Sequence, residues 1–231
     1  MLIHGLQKMT LLDYPGLVAC TVFLNGCDFK CPYCHNYELV NGTALPLMDD
    51  EEFFSFLGKR KGLLDGVCIT GGEPLLHKDI DIFIRKIRDM GYKVKLDTNG
   101  YHPDLLKSLI DQGLIDYIAM DIKNSFGKYQ VTTGFGAIDT SIIKKSISVI
   151  MNSGVDYEFR TTVVGGMHNK EDFEQIGKMI HGAKAYYLQQ FTMRDTVPDR
   201  ELYSPSNEDM AAFLATAKQY VDTALLRGVS D

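Results

Sequence analysis

At 231 residues, 45% hydrophobic and 23% charged, the chain has an ordinary globular composition and a length that a single α/β barrel occupies. A net charge of −6 argues against a nucleic-acid groove, and no apolar run approaches the roughly eighteen residues of a membrane span. The first residues lack a basic stretch followed by a sustained apolar one, and the five cysteines are odd in number. No signal peptide, membrane or nucleic-acid partner is expected, and reduced thiols in a cytoplasm fit better than a disulfide framework.

In chain order, a Pro-Gly turn in Thr10-Leu11-Leu12-Asp13-Tyr14-Pro15-Gly16 precedes a predicted strand over 17–24. Cys27, Cys31 and Cys34 follow at once. A helix over 49–61 with an acidic first turn leads to a strand over 66–70, which ends at Gly71-Gly72-Glu73-Pro74. A helix over 79–90 puts Ile80, Phe83, Ile84 and Ile87 on one face and stops at Gly91. The strand over 92–97 runs into Asp97-Thr98-Asn99-Gly100, and a helix over 103–112 opens on Pro103. The strand over 116–122 carries Asp121-Ile122-Lys123, and Thr132 to Gly136 is the best candidate for a mobile loop. A helix over 140–152, a strand over 156–164 with Arg160, a helix over 170–181, a strand over 184–190 ending in Gln189-Gln190, and a helix over 207–226 complete the set.

Several strands are apolar on both parities, as in a parallel sheet buried on both faces. Six strand–helix units without a linker or internal repeat suggest one β/α domain over 1–231, either an open barrel or a doubly wound sheet. The polar motifs cluster at the C-terminal ends of the strands, the rim where β/α barrels assemble active sites.

The spacing Cys27-x3-Cys31-x2-Cys34 selects zinc or an iron–sulfur cluster. A 4Fe–4S cluster normally takes four cysteines. Here Cys20 and Cys68 fall inside predicted strands and read as small buried hydrophobes, so one iron is left open, as catalytic metal sites leave a position open. Structural zinc wants two separated ligand pairs, and no second CxxC or HxxxH occurs downstream. A redox reading of Cys31 and Cys34 leaves Cys27 unexplained. Histidines 4, 77, 102, 168 and 181 show no paired ligand spacing.

The pattern CxxxCxxC with Tyr33 before the last cysteine resembles the signature of the radical S-adenosylmethionine (SAM) superfamily, over roughly residues 8–195. The resemblance implies a partial (β/α)6 barrel with a 4Fe–4S cluster on Cys27, Cys31 and Cys34. SAM would bind the open iron through its amino and carboxylate groups. One-electron cleavage then yields a 5′-deoxyadenosyl radical that abstracts a hydrogen atom. Gly71-Gly72-Glu73 resembles the GGE motif that holds the SAM amino group.

Cys34-His35-Asn36, the Asp-Tyr-Pro-Gly segment, Asp97-Thr98-Asn99 and Asp121-x-Lys123 resemble the glycyl-radical-enzyme activases. The implied SAM contacts are Tyr33, Asn36, Gly71, Gly72, Glu73, Asp97, Thr98, Asn99, Asp121, Lys123, Arg160 and Gln189. A monovalent cation would lie near Asp97 and Asp121. Gln189-Gln190 stands where the pyruvate formate-lyase type has a Tyr-His pair, which argues against that substrate. The resemblance is greatest to activators of anaerobic ribonucleoside-triphosphate reductase. It implies a glycyl radical enzyme as protein substrate and a flavodoxin- or ferredoxin-type electron donor. The alternatives are an activase of another glycyl radical enzyme, of the pyruvate formate-lyase type, a metabolite enzyme of the 7-carboxy-7-deazaguanine synthase type, and a non-catalytic metal-binding module.

Overall fold

The computed structural model of the protein describes residues 1–229. Strands β1 (Leu2–Ile3), β2 (Gly5–Thr10) and β3 (Ala19–Leu24) are followed by the short helix α1 (Tyr37–Val40), β4 (Met48–Asp49) and α2 (Asp50–Gly58). Alternation then sets in: β5 (Gly66–Gly71), α3 (Ile80–Asp89), β6 (Lys93–Thr98), α4 (Pro103–Asp111) and β7 (Tyr117–Asp121). After β7 come α5 (Tyr129–Thr133), α6 (Thr140–Met151), β8 (Asp156–Val163), α7 (Lys170–Met179), β9 (Tyr186–Gln190), α8 (Asn207–Ala217) and β10 (Ala224–Arg227).

One sheet holds eight of these strands in the order β10-β9-β8-β7-β6-β5-β3-β2. From β3 to β10 every pair is parallel, and β2 adds on antiparallel. This order decides between the two architectures left open by the sequence. A doubly wound sheet reverses direction at a switch point and takes helices on both faces. Here spatial order follows chain order without reversal, so right-handed crossovers put every helix on the same face. The other face is concave, and β2 and β10 do not pair, which makes this an open barrel.

The register sorts residues to the two faces. Val22, Ile69, Leu96, Ile118 and Tyr157 stand in one row across five strands. They are buried in one apolar cluster with Phe53 of α2 and with Ile80, Ile84 and Ile87 of α3, the face that the helical periodicity predicts. One residue out of phase, the row Thr21, Cys68, Lys95 and Tyr117 lines the inside of the barrel. Tyr14, from the Pro-Gly turn, is buried against Ala19 and Cys68, with its ring 6.0 Å from that of Tyr117. Thr21 donates to Asp13 at 2.6 Å. The Asp-Tyr-Pro-Gly segment thus plugs the end of the barrel opposite the strand C-termini.

Capping boxes start α2 at Asp49 and Glu52, α7 at Asn169 and Asp172, and α8 at Ser206 and Asp209. The helix expected over 207–226 is shorter. It ends at Ala217, and Ala224–Arg227 becomes a parallel strand on β9. The free edge of β9 supplies hydrogen bonds that a prolonged helix could not. Arg227 also forms a two-pronged pair with Glu158, at 2.6 and 2.8 Å.

The loop expected over Thr132 to Gly136 begins two residues later: Thr132 and Thr133 are buried at the end of α5, and the chain leaves the helix at Gly134, which is exposed together with Gly136. Among the described residues no helix is long and apolar enough to cross a membrane.

Candidate active site

The sequence brings two loops back to back at the C-terminal ends of β3 and β5. Gly72 N–H donates to Leu24 O at 2.8 Å, and Glu73 N–H donates to Gly26 O at 2.7 Å. A Cβ on Gly72 would lie 1.9 Å from the Gly26 carbonyl oxygen, and one on Gly71 2.3 Å from Leu24 O. Gly71 also has φ +120°, a conformation open to glycine. The paired glycines are therefore required by backbone contact.

Cys27, Cys31 and Cys34 line one cavity directly above this junction. Lys30 N–H donates to Thr133 O at 2.8 Å and Cys34 N–H to Cys31 O at 3.1 Å, which fix the middle and end of the loop. Phe29 packs against Tyr101 and Phe135, with ring centroids 5.5 and 6.0 Å away. Burial pushes the Cys27 thiol up to about 12 and that of Cys31 to about 11, and it raises Cys34 as well. Metal binding would have to displace those protons. Cys20 and Cys68 sit buried inside β3 and β5 and do not line the cavity.

Gly71, Gly72, Thr98, Asn99 and Asn36 form the adjoining wall. Asn36 Nδ2 donates to Gly71 O at 3.1 Å, which ties the end of the cysteine loop to β5. Glu73 is placed differently from its neighbours. Its side chain is fully buried and does not line the cavity. The carboxylate accepts from Thr98 Oγ1 at 2.8 Å, from the Asn99 N–H at 2.6 Å and from the Leu75 N–H at 3.1 Å. Burial weakens its acidity, raising its pKa to about 7 in spite of these donors. Glu73 thus organises the turn after β6 from behind.

Across the cavity stand Asp97, Asp121, Lys123, Arg160, Thr162 and Gln189. Arg160 bridges both acids, with Nε 2.9 Å from Asp121 and Nη1 3.1 Å from Asp97. Lys123 pairs with Asp121 at 2.9 Å, and Lys95, almost fully buried, pairs with Asp97. Burial opposes ionisation of Asp121, yet Arg160 and Lys123 hold its carboxyl at about 2. Asp97 is likewise held low against burial by Arg160 and Lys95. Within the cavity two cations, Lys123 and Arg160, face the two carboxylates, and Lys95 pairs with Asp97 from outside it, so the fixed guanidinium and ammonium groups stay available to an anionic ligand group.

Residues 21–180 match the radical SAM superfamily. The chain belongs to that superfamily. A Methanocaldococcus jannaschii protein, provisionally assigned as a glycyl-radical enzyme activating enzyme, is 33% identical over 99% of this chain and 97% of its own length. The pyruvate formate-lyase-activating enzyme of Clostridium pasteurianum is 30% identical over 77% of this chain and 75% of its own. A 7-carboxy-7-deazaguanine synthase from Thermoplasma acidophilum is 31% identical over 63% of the chain and 66% of its own.

The fold recurs in solved structures. Streptococcus suis SuiB superposes with a TM-score of 0.64 at 15% identity, over 90% of this chain and 48% of that one. A domain of a Bacteroides vulgatus pyruvate-formate lyase-activating enzyme gives 0.56 at 17%, over 71% and 99%.

As a radical SAM protein the chain is an enzyme whose family implies a 4Fe–4S cluster and SAM. The cavity fits that pair. Its thiols are soft ligands suited to iron–sulfur. The Tyr33 hydroxyl is buried without a partner, an atom awaiting a ligand.

Every residue expected at the site from the sequence lines this cavity except Glu73. Sequence reasoning passed over Lys95 and the Asp28–His102 pair, which meet at 2.8 Å beside Cys27. Lys95 had a signal: with Asp97 it alternates against Val94 and Leu96, the period of a strand with one polar face. His102 lies far from Asp28 in sequence and had none.

Proposed function

We propose that this enzyme installs a glycyl radical on a partner enzyme, with the chain acting as one radical SAM domain. The reading rests on one observation: three cysteines, a double-glycine junction and the fixed cations Lys123 and Arg160 meet in a single cavity at the strand C-termini. Two relatives named for glycyl-radical activation, one matching nearly the whole chain, support it.

In this reading Cys27, Cys31 and Cys34 hold the cluster. The close backbone approach at Gly71 and Gly72 leaves room for the methionine end of SAM, with Asn36 fixing that wall. Lys123 and Arg160 attract the SAM carboxylate, while Asp97 and Asp121 keep both cations in place. Thr98, Asn99, Tyr33 and Gln189 complete the walls, and Glu73 acts indirectly by holding the Thr98-Asn99 turn. Bound there, cluster and SAM together supply one-electron reductive cleavage and an organic radical able to abstract a hydrogen atom. A cation near Asp97 and Asp121 would compete with Arg160, Lys95 and Lys123, so we leave it out of the assignment.

The partner is proposed to be an anaerobic ribonucleoside-triphosphate reductase, on the Cys-His-Asn ending, the Asp-Tyr-Pro-Gly segment and Gln189. A flavodoxin- or ferredoxin-type protein is the proposed electron donor. The 7-carboxy-7-deazaguanine synthase relative keeps a metabolite substrate as the second reading. The test is anaerobic reconstitution, reduction and assay of 5′-deoxyadenosine from SAM. A yield no higher than that of a variant with all three cysteines changed to alanine would sink the enzyme assignment. A glycyl doublet in electron paramagnetic resonance (EPR) on mixing with the reductase is the expected result, and formation of 7-carboxy-7-deazaguanine instead would favour the second reading.

A further inference from the structure

The Asn99 side chain faces a sulfur and is not free to turn away. Its Oδ1 accepts the Tyr101 backbone N–H at 2.8 Å. A backbone N–H needs an acceptor, so the oxygen must sit there and the amide nitrogen is left pointing at Cys27. Nδ2 lies 3.7 Å from Cys27 Sγ. The turn that carries Asn99 is buried, and Thr98 pins it by donating to Glu73 and accepting the Gly100 N–H at 3.1 Å.

We propose that Asn99 donates a hydrogen bond to the Cys27 sulfur and thereby raises the reduction potential of the cluster. The inference rests on the assignment of the three cysteines as cluster ligands. It moves Asn99 from contact with SAM to tuning of the metal centre. Reduction passes one electron from a low-potential one-electron donor to the oxidised cluster, with no proton transferred. The added negative charge spreads onto the ligand sulfurs, so an N–H aimed at one of them stabilises the reduced form more than the oxidised one. Burial keeps water from screening that difference.

The test is an EPR-monitored redox titration of the reconstituted full chain without SAM. Asn99→Ser keeps a side-chain oxygen for Tyr101 while removing the amide donor. The variant is expected to lower the reduced-to-oxidised ratio at a fixed potential by about tenfold, ~59 mV for a one-electron couple, with wild-type iron content. A wild-type midpoint at full iron content would overturn the proposal. A wild-type chain that takes up no iron would instead overturn the ligand assignment. Should the variant lose iron, pulsed EPR of the reduced wild type in deuterated water decides: exchangeable deuterons coupled to the cluster are expected, and their absence refutes the donor.

Discussion

On the side of the cavity formed by β3 and β5, position is fixed by backbone. Gly71 and Gly72 press against Leu24 and Gly26, and the loop amides are satisfied by neighbouring carbonyls. On the opposite side, from β6 to β9, position is fixed by charge. Asp97, Arg160, Asp121 and Lys123 stand on three different strands and the turn beyond one of them, held at 2.9–3.1 Å. The first side tolerates no added atom, whereas the second tolerates changes of shape but not of charge. A rigid wall suits an inorganic cluster of fixed geometry, and a wall of paired side chains suits a flexible cofactor that must bind and leave.

The largest expected effect lies on the backbone side. Gly72→Ala places a carbon 1.9 Å from a backbone oxygen that cannot swing away, and about 3 kcal/mol of stability should be lost, read by urea unfolding. An unchanged midpoint would break the contrast. Arg160→Met should follow at about 2–3 kcal/mol. It leaves each carboxylate with a single lysine partner, and Asp121 keeps partial access to water, which softens the penalty.

This second loss depends on pH with a definite sign. In the wild type Asp121 is held at about 2, against about 3.9 when unfolded, so its contribution is full above about pH 4 and fades as pH falls towards 2. The gap between wild type and Arg160→Met should close over that window.

Lys123→Ala sharpens the comparison from the side of function. It leaves the Arg160 bridge in place, and calorimetry should read SAM binding weakened by roughly tenfold at unchanged iron content. The smallest effect marks the baseline. Lys107 and Asp111 pair at 2.7 Å on the exposed face of α4, and Lys107→Ala should change stability by less than about 0.5 kcal/mol.

The same contrast explains what could be read in advance. On the backbone side the signals are contiguous: Cys27 to Asn36 and Gly71 to Glu73 are short runs whose spacing carries the chemistry. On the charged side single residues were visible as strand-end motifs, but not that Arg160 reaches across to Asp97, or that Lys95 is a buried partner rather than a surface lysine. Glu73 shows the limit within a motif. Its place in the run was legible, but its direction, away from the cavity and onto Thr98 and Asn99, was set by the neighbouring strand. The segment 218–227 was read as helix because its periodicity is local, while the unpaired edge of β9 that captures it is not.

The sequence by itself determined the strand–helix alternation, the three thiols and the glycines, because each depends on residues a few positions apart. Tertiary structure alone decided the rest. Spatial order equal to chain order, a property of how strands pair, chose the barrel over the doubly wound sheet. Burial, a property of what surrounds a side chain, turned Asp97 and Asp121 into the two ends of one clamp and aimed Asn99 at a sulfur.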